Sequence, residues 1–135
     1  MESRLFIGGE FVDALDGAHV EVIDPHDGSV LARAAEAKES DVDRAVAAAK
    51  KAHDGWSRIA AADRGRLLLR LADAIEADLP QLALLETRDT GHPLRDTQAL
   101  DIPRTAATFR YFGGMADKFQ GSVVPVEAEI GRAHV

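Results

Sequence analysis

Five histidines and two closely spaced pairs of acidic residues are the side chains of this sequence whose types are suited to chemistry. No two histidines are separated by the three residues that place zinc ligands on one face of a helix, so the pattern does not favour a zinc site. The carboxylate pairs could serve in acid–base catalysis, but their spacing is more typical of the solvated face of a helix. The histidines are His19, His26, His53, His92 and His134, and the acidic pairs are Glu76 with Asp78 and Glu86 with Asp89.

Residues that many enzymes need are absent from the sequence. It contains no cysteine, which excludes disulfides, thiolate metal ligands and thiol nucleophiles among these residues. It contains neither a G-x-G-x-x-G turn nor a Walker loop, so no glycine-rich segment is available to hold a nucleotide phosphate. We therefore expect the chain by itself to catalyse no reaction and to bind no cofactor.

Length, charge and hydropathy limit the classes of partner. The 135 residues are enough for one domain with a core. The net charge is −7, and acidic and basic residues are interleaved, which argues against nucleic acid or an anionic membrane as a partner. No apolar run approaches the roughly 20 residues of a membrane span, and the first residues lack the pattern of a signal peptide. These features predict a soluble cytoplasmic protein.

Two consecutive helices are predicted at the centre of the chain, over residues 63–78 and 80–90. Asp63 is a candidate N-cap, Pro80 should end the first helix or begin the second because it lacks an amide, and Gly91 suits a left-handed C-cap. We expect the two helices to form an antiparallel pair with a shared apolar side. The first helix carries apolar residues at spacings of three and four, namely Leu68, Leu71, Ala72, Ile75 and Leu79.

Strands are predicted on both sides of the helical region. Gly8-Gly9 between two apolar runs indicates a β-hairpin, since glycine tolerates the positive φ of tight turns. Residues 20–23 and the run that begins at Val30 predict two strands joined by a turn at 24–28. A further strand is predicted at 123–126, where the proline it contains is admitted only at a sheet edge.

Two more helices are predicted, over 40–54 and 95–119. The first is expected to begin with Ser40 as N-cap and to end at Gly55. The second should break or kink at Pro103. Its stripe is expected to lie in the core and to be covered only in part by the stripe of the central helix; it comprises Ala106, Phe109, Phe112, Ala116 and Phe119.

Several of these segments resemble the aldehyde dehydrogenase superfamily. Residues 86–93, Glu-Thr-Arg-Asp-Thr-Gly-His-Pro, resemble its E-x-x-D-T-G-K-P segment, with His92 in place of the usual lysine. Residues 110–121 are similar to its R-Y-Y/F-A-G-x-A-D-K-x-x-G segment, and residues 24–30 to its D-P-x-x-G-x-V hairpin. The resemblance covers roughly residues 5–128, with the motifs in the family's order.

The resemblance implies an α/β fold that is incomplete in this chain. Residues 1–122 would form the amino-terminal hairpins and helices of the family's cofactor-binding domain, without its parallel sheet. Residues 123–129 would begin the oligomerisation arm, which implies a homo-oligomer for the full-length protein. Residues 130–135 depart from the family pattern and resemble the translation of a sequencing adapter, so we expect a non-native tail; a genuine short tail is the alternative.

The activity implied by the resemblance is NAD(P)-dependent oxidation of an aldehyde to its carboxylic acid. In the family a cysteine thiolate attacks the aldehyde, hydride passes to NAD or NADP, and a glutamate-activated water releases the acid. The segments that carry these groups lie downstream in the family, so this chain would supply scaffold and channel wall. The rival hypothesis is a stand-alone helical interaction module without catalytic activity.

Two sites follow from the resemblance. The main-chain carbonyls of Val22 and Ile23, with the carboxylate of Asp89, match ligands of a structural monovalent cation, and oxygen ligands suit a hard cation. The alternative is that Asp89 caps or pairs near its helix end. Leu100 and Arg104 match positions at the family's aldehyde entrance. Arg104 replaces an apolar residue and could favour an anionic substrate, although a surface arginine without such a role is the commoner outcome.

Overall fold

The chain consists of three small sheets and a helical region in a computed structural model that describes residues 2–124 and 133–134. Its strands are β1 (Glu2–Ser3), β2 (Leu5–Ile7), β3 (Glu10–Val12), β4 (His19–Ile23), β5 (Val30–Ala35), β6 (Val123–Val124) and β7 (Ala133–His134). Its helices are α1 (Glu39–Arg58), α2 (Ala61–Ala77), α3 (Leu79–Thr90), α4 (Leu94–Asp96) and α5 (Ile102–Met115), with a π-helical turn at Thr97–Asp101. This mixed architecture agrees with the expected incomplete α/β fold.

The first hairpin is built as predicted. Strands β2 and β3 pair antiparallel, with Ile7 opposite Glu10 across the Gly8-Gly9 turn. Both glycines have positive φ, 65° and 92°, a backbone region that side chains disfavour. Phe6 and Phe11 face each other across the pair with ring centroids 5.0 Å apart, a favourable cross-strand contact.

The second sheet has the strand order β1-β5-β4. The predicted strands at 20–23 and from Val30 are confirmed as an antiparallel pair, and Gly28 closes their turn with φ 73°. The ladder shifts register between Val22 and Ile23, which marks a β-bulge. The parallel pairing of β1 with β5 was not predicted, because two residues are too few to carry a periodic signal.

Both predicted N-caps are wrong. Helix α1 begins at Glu39 with Lys38 as N-cap, and its Asp41 carboxylate accepts the Lys38 amide at 3.2 Å. The same carboxylate, 1% exposed, accepts the Leu15 amide at 3.2 Å, so Asp41 both closes the first turn of the helix and links it to a distant loop. Helix α2 begins at Ala61, which places Asp63 inside its first turn, where an acidic residue still favours the helix dipole.

The predicted helix ends are confirmed at one helix and wrong at another. Pro80 lies in the first turn of α3, and Gly91 ends that helix with φ 78° while its amide donates to the Thr87 carbonyl. Helix α1 does not stop at Gly55 but continues to Arg58. A glycine inside a helix costs only about 1 kcal/mol, less than the loss of a further turn with its hydrogen bonds.

Helix α2 packs chiefly against α5, which corrects the predicted pairing of α2 with α3. The contact is made where Gly65 meets Gly113, and the buried residues Ala72 and Ala106 line it. Small residues at Gly65 and Gly113 let the two backbones approach closely. At one end Arg110 donates to both Asp73 and Glu76, each at 2.7 Å.

Charge pairing at this end of the α2–α5 contact shifts two ionisation equilibria. The Arg110 guanidinium donates to the Glu76 carboxylate, which lowers the pKa of Glu76 and raises the pKa of Arg110. All these side chains are exposed to solvent, which limits the contribution of the pairs to stability. They link α2 to α5 at this end of the contact.

The aromatic stripe of α5 is not a core, contrary to the prediction. Phe112 is 58% exposed and Phe119 88% exposed, and only Phe109 of the aromatic members is half-buried. The buried residues of α5 are Gly113 and one member of the predicted stripe, Ala106. The expectation that α2 and α5 cover each other only in part agrees with these exposed side chains.

The remaining predictions concern helix 95–119 and the carboxyl-terminal segments. The long helix is broken as expected, since the π-helical turn ends just before Pro103. Of the strand predicted at 123–126, Val123–Val124 is confirmed and pairs with β7, while residues 125–126 lie outside the described residues. The proposed arm and tail, 123–129 and 130–135, are described only at 123–124 and 133–134. Among the described residues, no helix is both long and apolar enough to cross a bilayer.

We predict that Gly65→Ala destabilises the chain by about 1–3 kcal/mol, because overpacking forces the helices apart. A Cβ at this position would lie 2.6 Å from the Gly113 carbonyl oxygen. Urea unfolding followed by circular dichroism measures the change. The matched control is Gly55→Ala, whose Cβ meets no atom within 4 Å; it should be neutral or stabilise by up to ~1 kcal/mol. Equal stability of the two variants would contradict the close-contact interpretation.

Candidate functional site

The turn between β4 and β5 meets the carboxyl-terminal end of α3 through one ion pair. Arg88 Nε lies 3.0 Å from Asp24 Oδ2, across 64 positions of sequence. Asp24 is buried and Arg88 about half exposed, so the carboxylate is removed from water and needs this partner. The pair fixes the sheet turn against the helix that carries the E-x-x-D-T-G-like segment.

Asp24 also shapes its own turn. Its Oδ1 accepts the His26 amide at 3.0 Å, and its carbonyl accepts the Gly28 amide at 2.9 Å. These bonds form an Asx-type turn, which is why Asp followed by Pro is favoured here. Its neighbour Pro25 contacts α3 at Gly91, where an added Cβ would lie 3.1 Å from the proline Cγ.

A cleft of about 690 Å³ opens between this turn and the end of α3. It contains two imidazoles, two carboxylates and one guanidinium, so its chemistry is polar. The pKa of the Asp27 carboxyl is lowered, chiefly by its hydrogen bond with the Ser29 side chain. The lining residues are Asp24, Pro25, His26, Asp27, Thr87, Arg88, Gly91, His92 and Pro93.

The residues assigned to a cation lie on the two segments that this ion pair joins. Val22 and Ile23 flank the β-bulge at the end of β4, directly before Asp24. Asp89 follows Arg88 in the last turn of α3 and is exposed. No three His, Asp or Glu side chains within residues 2–124 and 133–134 are grouped as a metal site, so a cation here would need main-chain oxygens.

Leu100 and Arg104 lie on either side of the junction between the π-helical turn and α5. Leu100 is 52% exposed, and Arg104 is exposed in the first turn of α5. The Ile102 amide donates to the Thr97 carbonyl, the bond that defines the wider π turn. Pro103 has no amide to continue the α-helical ladder through this point, which explains the local change of geometry.

Thr97 anchors the π-helical turn to α3. Its side chain is fully buried, and its Oγ1 lies 3.0 Å from the Leu94 carbonyl, 3.2 Å from the Ala83 carbonyl and 3.1 Å from Thr87 Oγ1. With one proton to donate, the hydroxyl serves one carbonyl at a time and can accept from Thr87. The start of the Leu100 segment is therefore held in place.

A second anchor holds the end of the same turn. His92 Nδ1 lies 2.6 Å from Asp101 Oδ2, and the His92 amide donates to Thr90 Oγ1 at 3.2 Å. Sequence analysis identified His92 only as a departure from the family pattern and did not predict its partner. It also missed the roles of Asp24, Arg88 and Thr97. Turn chemistry marked Asp24 as a turn residue, but no local signal identifies its partner across the chain.

Comparison with known proteins relates this chain to one family. Residues 11–134 match the model described as the aldehyde dehydrogenase family. Human cytosolic 10-formyltetrahydrofolate dehydrogenase is 46% identical over 128 residues, which cover 93% of this chain and 14% of that protein. Aldehyde dehydrogenase 1 of Tanacetum cinerariifolium is 43% identical over 129 residues, which cover 94% of this chain and 26% of that protein.

Solved structures give the same result. The crystal structure of PnpE from Pseudomonas sp. WBC-3 is 59% identical in sequence with a TM-score of 0.90, covering 95% of this chain and 26% of that chain. PnpE in complex with nicotinamide adenine dinucleotide matches with a TM-score of 0.91. This chain thus spans between 14% and 26% of the length of these relatives.

We predict that Asp24→Asn lowers the free energy of unfolding by about 1–3 kcal/mol, because hydrogen bonds to charged groups are worth this much and the amide cannot replace the carboxylate beside Arg88. Urea unfolding gives the size of the change. Asp27→Asn, in the same turn but exposed, should change stability by less than ~0.5 kcal/mol. An Asp24 variant as stable as the Asp27 variant would show that the ion pair does not hold the turn.

Proposed function

This chain belongs to the aldehyde dehydrogenase family, and from that premise we propose that it forms the amino-terminal region of an NAD(P)-dependent enzyme that oxidises an aldehyde to its carboxylic acid. The single observation that carries the proposal is the likeness to PnpE, 59% identical and solved with nicotinamide adenine dinucleotide. The proposed reaction belongs to the full-length protein, of which this chain is the scaffold and part of the substrate channel.

The residues of this chain do not supply the reacting groups of the proposed mechanism. The sequence has no cysteine to act as a thiolate nucleophile. It also has no glycine-rich turn entering a helix, so we assign no contact to the cofactor's pyrophosphate here. We propose that the chain instead holds structural elements in place. The ion pair between Asp24 and Arg88 joins the sheet to α3, and Thr97 holds the segment that carries Leu100.

The proposed aldehyde path passes Leu100 and Arg104. Their exposure in this chain supports the proposal, since a channel wall must present its side chains to an open space. Leu100 offers an apolar contact for the carbon chain of an aldehyde, and Arg104 offers a cation one turn further along. The anchors at Thr97 and Asp101 limit the freedom of this wall, which favours a defined binding geometry.

We propose in addition that Val22, Ile23 and Asp89 hold a monovalent cation. The β-bulge between Val22 and Ile23 interrupts the β4–β5 ladder, and a bulge leaves main-chain groups without ladder partners. The ion pair of Asp24 with Arg88 joins the segments that carry the three ligands. Two carbonyls and one carboxylate are the oxygen donors that a hard cation takes.

For the cation, we predict that potassium raises the unfolding temperature of the full-length protein relative to choline at equal ionic strength, because a ligand that binds only the folded state stabilises it. Asp89→Ala should abolish the difference. Asp43→Ala removes an exposed carboxylate elsewhere and should preserve it. Differential scanning calorimetry in the two chloride salts is the measurement. An Asp89→Ala protein that still responds to potassium would refute the ligand assignment.

For the reaction, we predict that the purified 135-residue chain shows no reduction of NAD or NADP with a panel of aldehydes, whereas the full-length protein reduces one of them with saturation kinetics. The absorbance of the reduced nicotinamide follows turnover. Saturable turnover by the short chain would overturn the assignment of the chemistry to other residues. A full-length protein that oxidises none of the aldehydes would favour the stand-alone interaction module.

A further inference from the structure

Helix α1 is 20 residues long and packs against little of the described chain. Its chief contact with another helix or strand is with β2 of the first hairpin. Every residue from 49 to 58 is exposed to solvent. Most of the stability of a helix in a protein comes from the packing of its apolar face. Within this chain α1 therefore lacks most of the support that a helix of its length has in a folded protein.

An apolar face is nevertheless present on α1. Val42, Val46, Ala49 and Trp56 follow one another at spacings of four, three and seven, which place them on one side of a helix. Val42, Val46 and Trp56 are each about half exposed. The opposite side carries charged residues such as Lys51. The helix is thus amphipathic, and its apolar side is open to solvent.

The contact between the hairpin and α1 has an open cleft on each side. The hairpin turn lies on the helix, since a Cβ at Gly8 would be 3.9 Å from the Ala48 Cβ. One cleft has a volume of about 680 Å³ and reaches Lys51, and the other has a volume of about 400 Å³. Apart from Lys51 and the buried Asp41, the side chains that line the two clefts are apolar. We call the two clefts and the stripe between them the α1–hairpin surface; its large apolar members are Leu5, Phe6, Ile7, Val42 and Val46.

The described region buries no large apolar side chain. Its buried apolar residues are four alanines, and its leucines, isoleucines, valines and aromatic residues all retain exposed area. The chain exposes 10297 Å² to solvent, whereas a folded monomer of 14.5 kDa exposes about 6,900 Å². The excess is more than twice the roughly 800 Å² that each partner covers in an interface of standard size. One contact with a second copy of this chain is therefore too small to cover it.

The relatives have enough further polypeptide to cover such an area. This chain spans 26% of PnpE at a TM-score of 0.90, so about three quarters of a protein of that length lies outside these residues. An element of the same polypeptide is held close by the chain itself, which gives it a high effective concentration at the surface. The same polypeptide is thus favoured over a second copy as the source of the cover.

We infer that the α1–hairpin surface is an intramolecular docking surface, covered in the full-length protein by an apolar element from the part of the same polypeptide outside these 135 residues. The inference rests on the proposed function in one respect, namely that this chain is part of a longer polypeptide. The apolar lining of both clefts selects an element with aliphatic or aromatic side chains, because a polar group placed there would lose its hydrogen bonds to water.

Photo-cross-linking from Lys51 in the full-length protein identifies what covers the surface. A reagent that couples a diazirine to the Lys51 amine places a carbene source in the larger cleft, and mass spectrometry identifies the peptide into which it inserts. The oligomers are prepared from a mixture of isotopically light and heavy polypeptide, with native mass spectrometry as proof that the subunits have mixed. Lys51→Arg removes the amine and is the matched control.

The inference predicts cross-links from Lys51 to peptides outside these 135 residues, with both peptides of each pair carrying the same isotope label. Pairs that combine a light and a heavy peptide would show that a second subunit covers the surface and would overturn the inference. Cross-links confined to these 135 residues would show an open surface and would also overturn it.

Amide hydrogen exchange of α1 in the full-length protein tests whether the cover stabilises the helix. Val46→Asp should speed the exchange by about 10-fold or more, because it places a carboxylate in an apolar contact. Ala47→Asp introduces the same residue outside the stripe, at an exposed position, and should change the rate by less than about 3-fold. Equal effects of the two variants would contradict a covered stripe.

Val46→Ala serves as a milder variant if Val46→Asp does not fold. A covered stripe predicts faster exchange of α1, because two methyl groups are lost from a packed contact. An open stripe predicts slower exchange, because alanine is the better helix former. The sign of the change therefore decides between the two states.

These outcomes are independent of catalysis. A full-length protein that oxidises an aldehyde but gives no cross-link outside these 135 residues would overturn the inference and leave the proposed function intact. One that oxidises no aldehyde but gives cross-links of a single label would overturn the proposed function and support the inference.

Discussion

The contact between α2 and α5 is the constraint on which the helical part of the chain depends. Gly65 and Gly113 meet so closely that a Cβ on either would lie within 3.1 Å of the other's carbonyl oxygen. The fully buried apolar residues of the described region are alanines, each of which contributes a methyl group, about 0.8 kcal/mol, where a buried leucine contributes roughly 1.5–3 kcal/mol. In this contact the helices therefore pack through close approach of their backbones rather than through large side chains.

Because few large side chains are buried, many large apolar side chains remain exposed to solvent. Leucines and aromatic residues of α3 and α5, such as Leu84, Leu85, Tyr111 and Phe112, are exposed. The chain spans 14% to 26% of the length of its relatives. An apolar surface of this kind costs free energy in water unless another surface covers it, so the isolated chain has less stability than its helical content suggests.

Sequence periodicity predicted most helices and strands of this fold. It did not predict contacts between residues that are far apart in the sequence. The helix α2, the Gly8-Gly9 hairpin and the Gly91 cap follow from local rules and are confirmed. Asp41, in the first turn of α1, accepts the Leu15 amide, which lies outside any sequence window around Ser40. Likewise, the position of Asp24 in a turn was predictable, but its pairing with Arg88 across 64 positions was not. The resemblance to a family indicated the candidate site residues, whereas the contacts that hold their segments are visible only in the structure.

The two departures from the family pattern near the proposed channel lie on either side of one carboxylate. His92 stands where the pattern has lysine and contacts Asp101 directly, and Arg104 stands where it has an apolar residue, three positions after Asp101. His92 Nδ1 donates to the carboxylate when the imidazole is protonated, and also when it is neutral with its proton on Nδ1. His92 therefore holds Asp101 without a lysine, and among the described residues Asp101 forms no ion pair with Arg104.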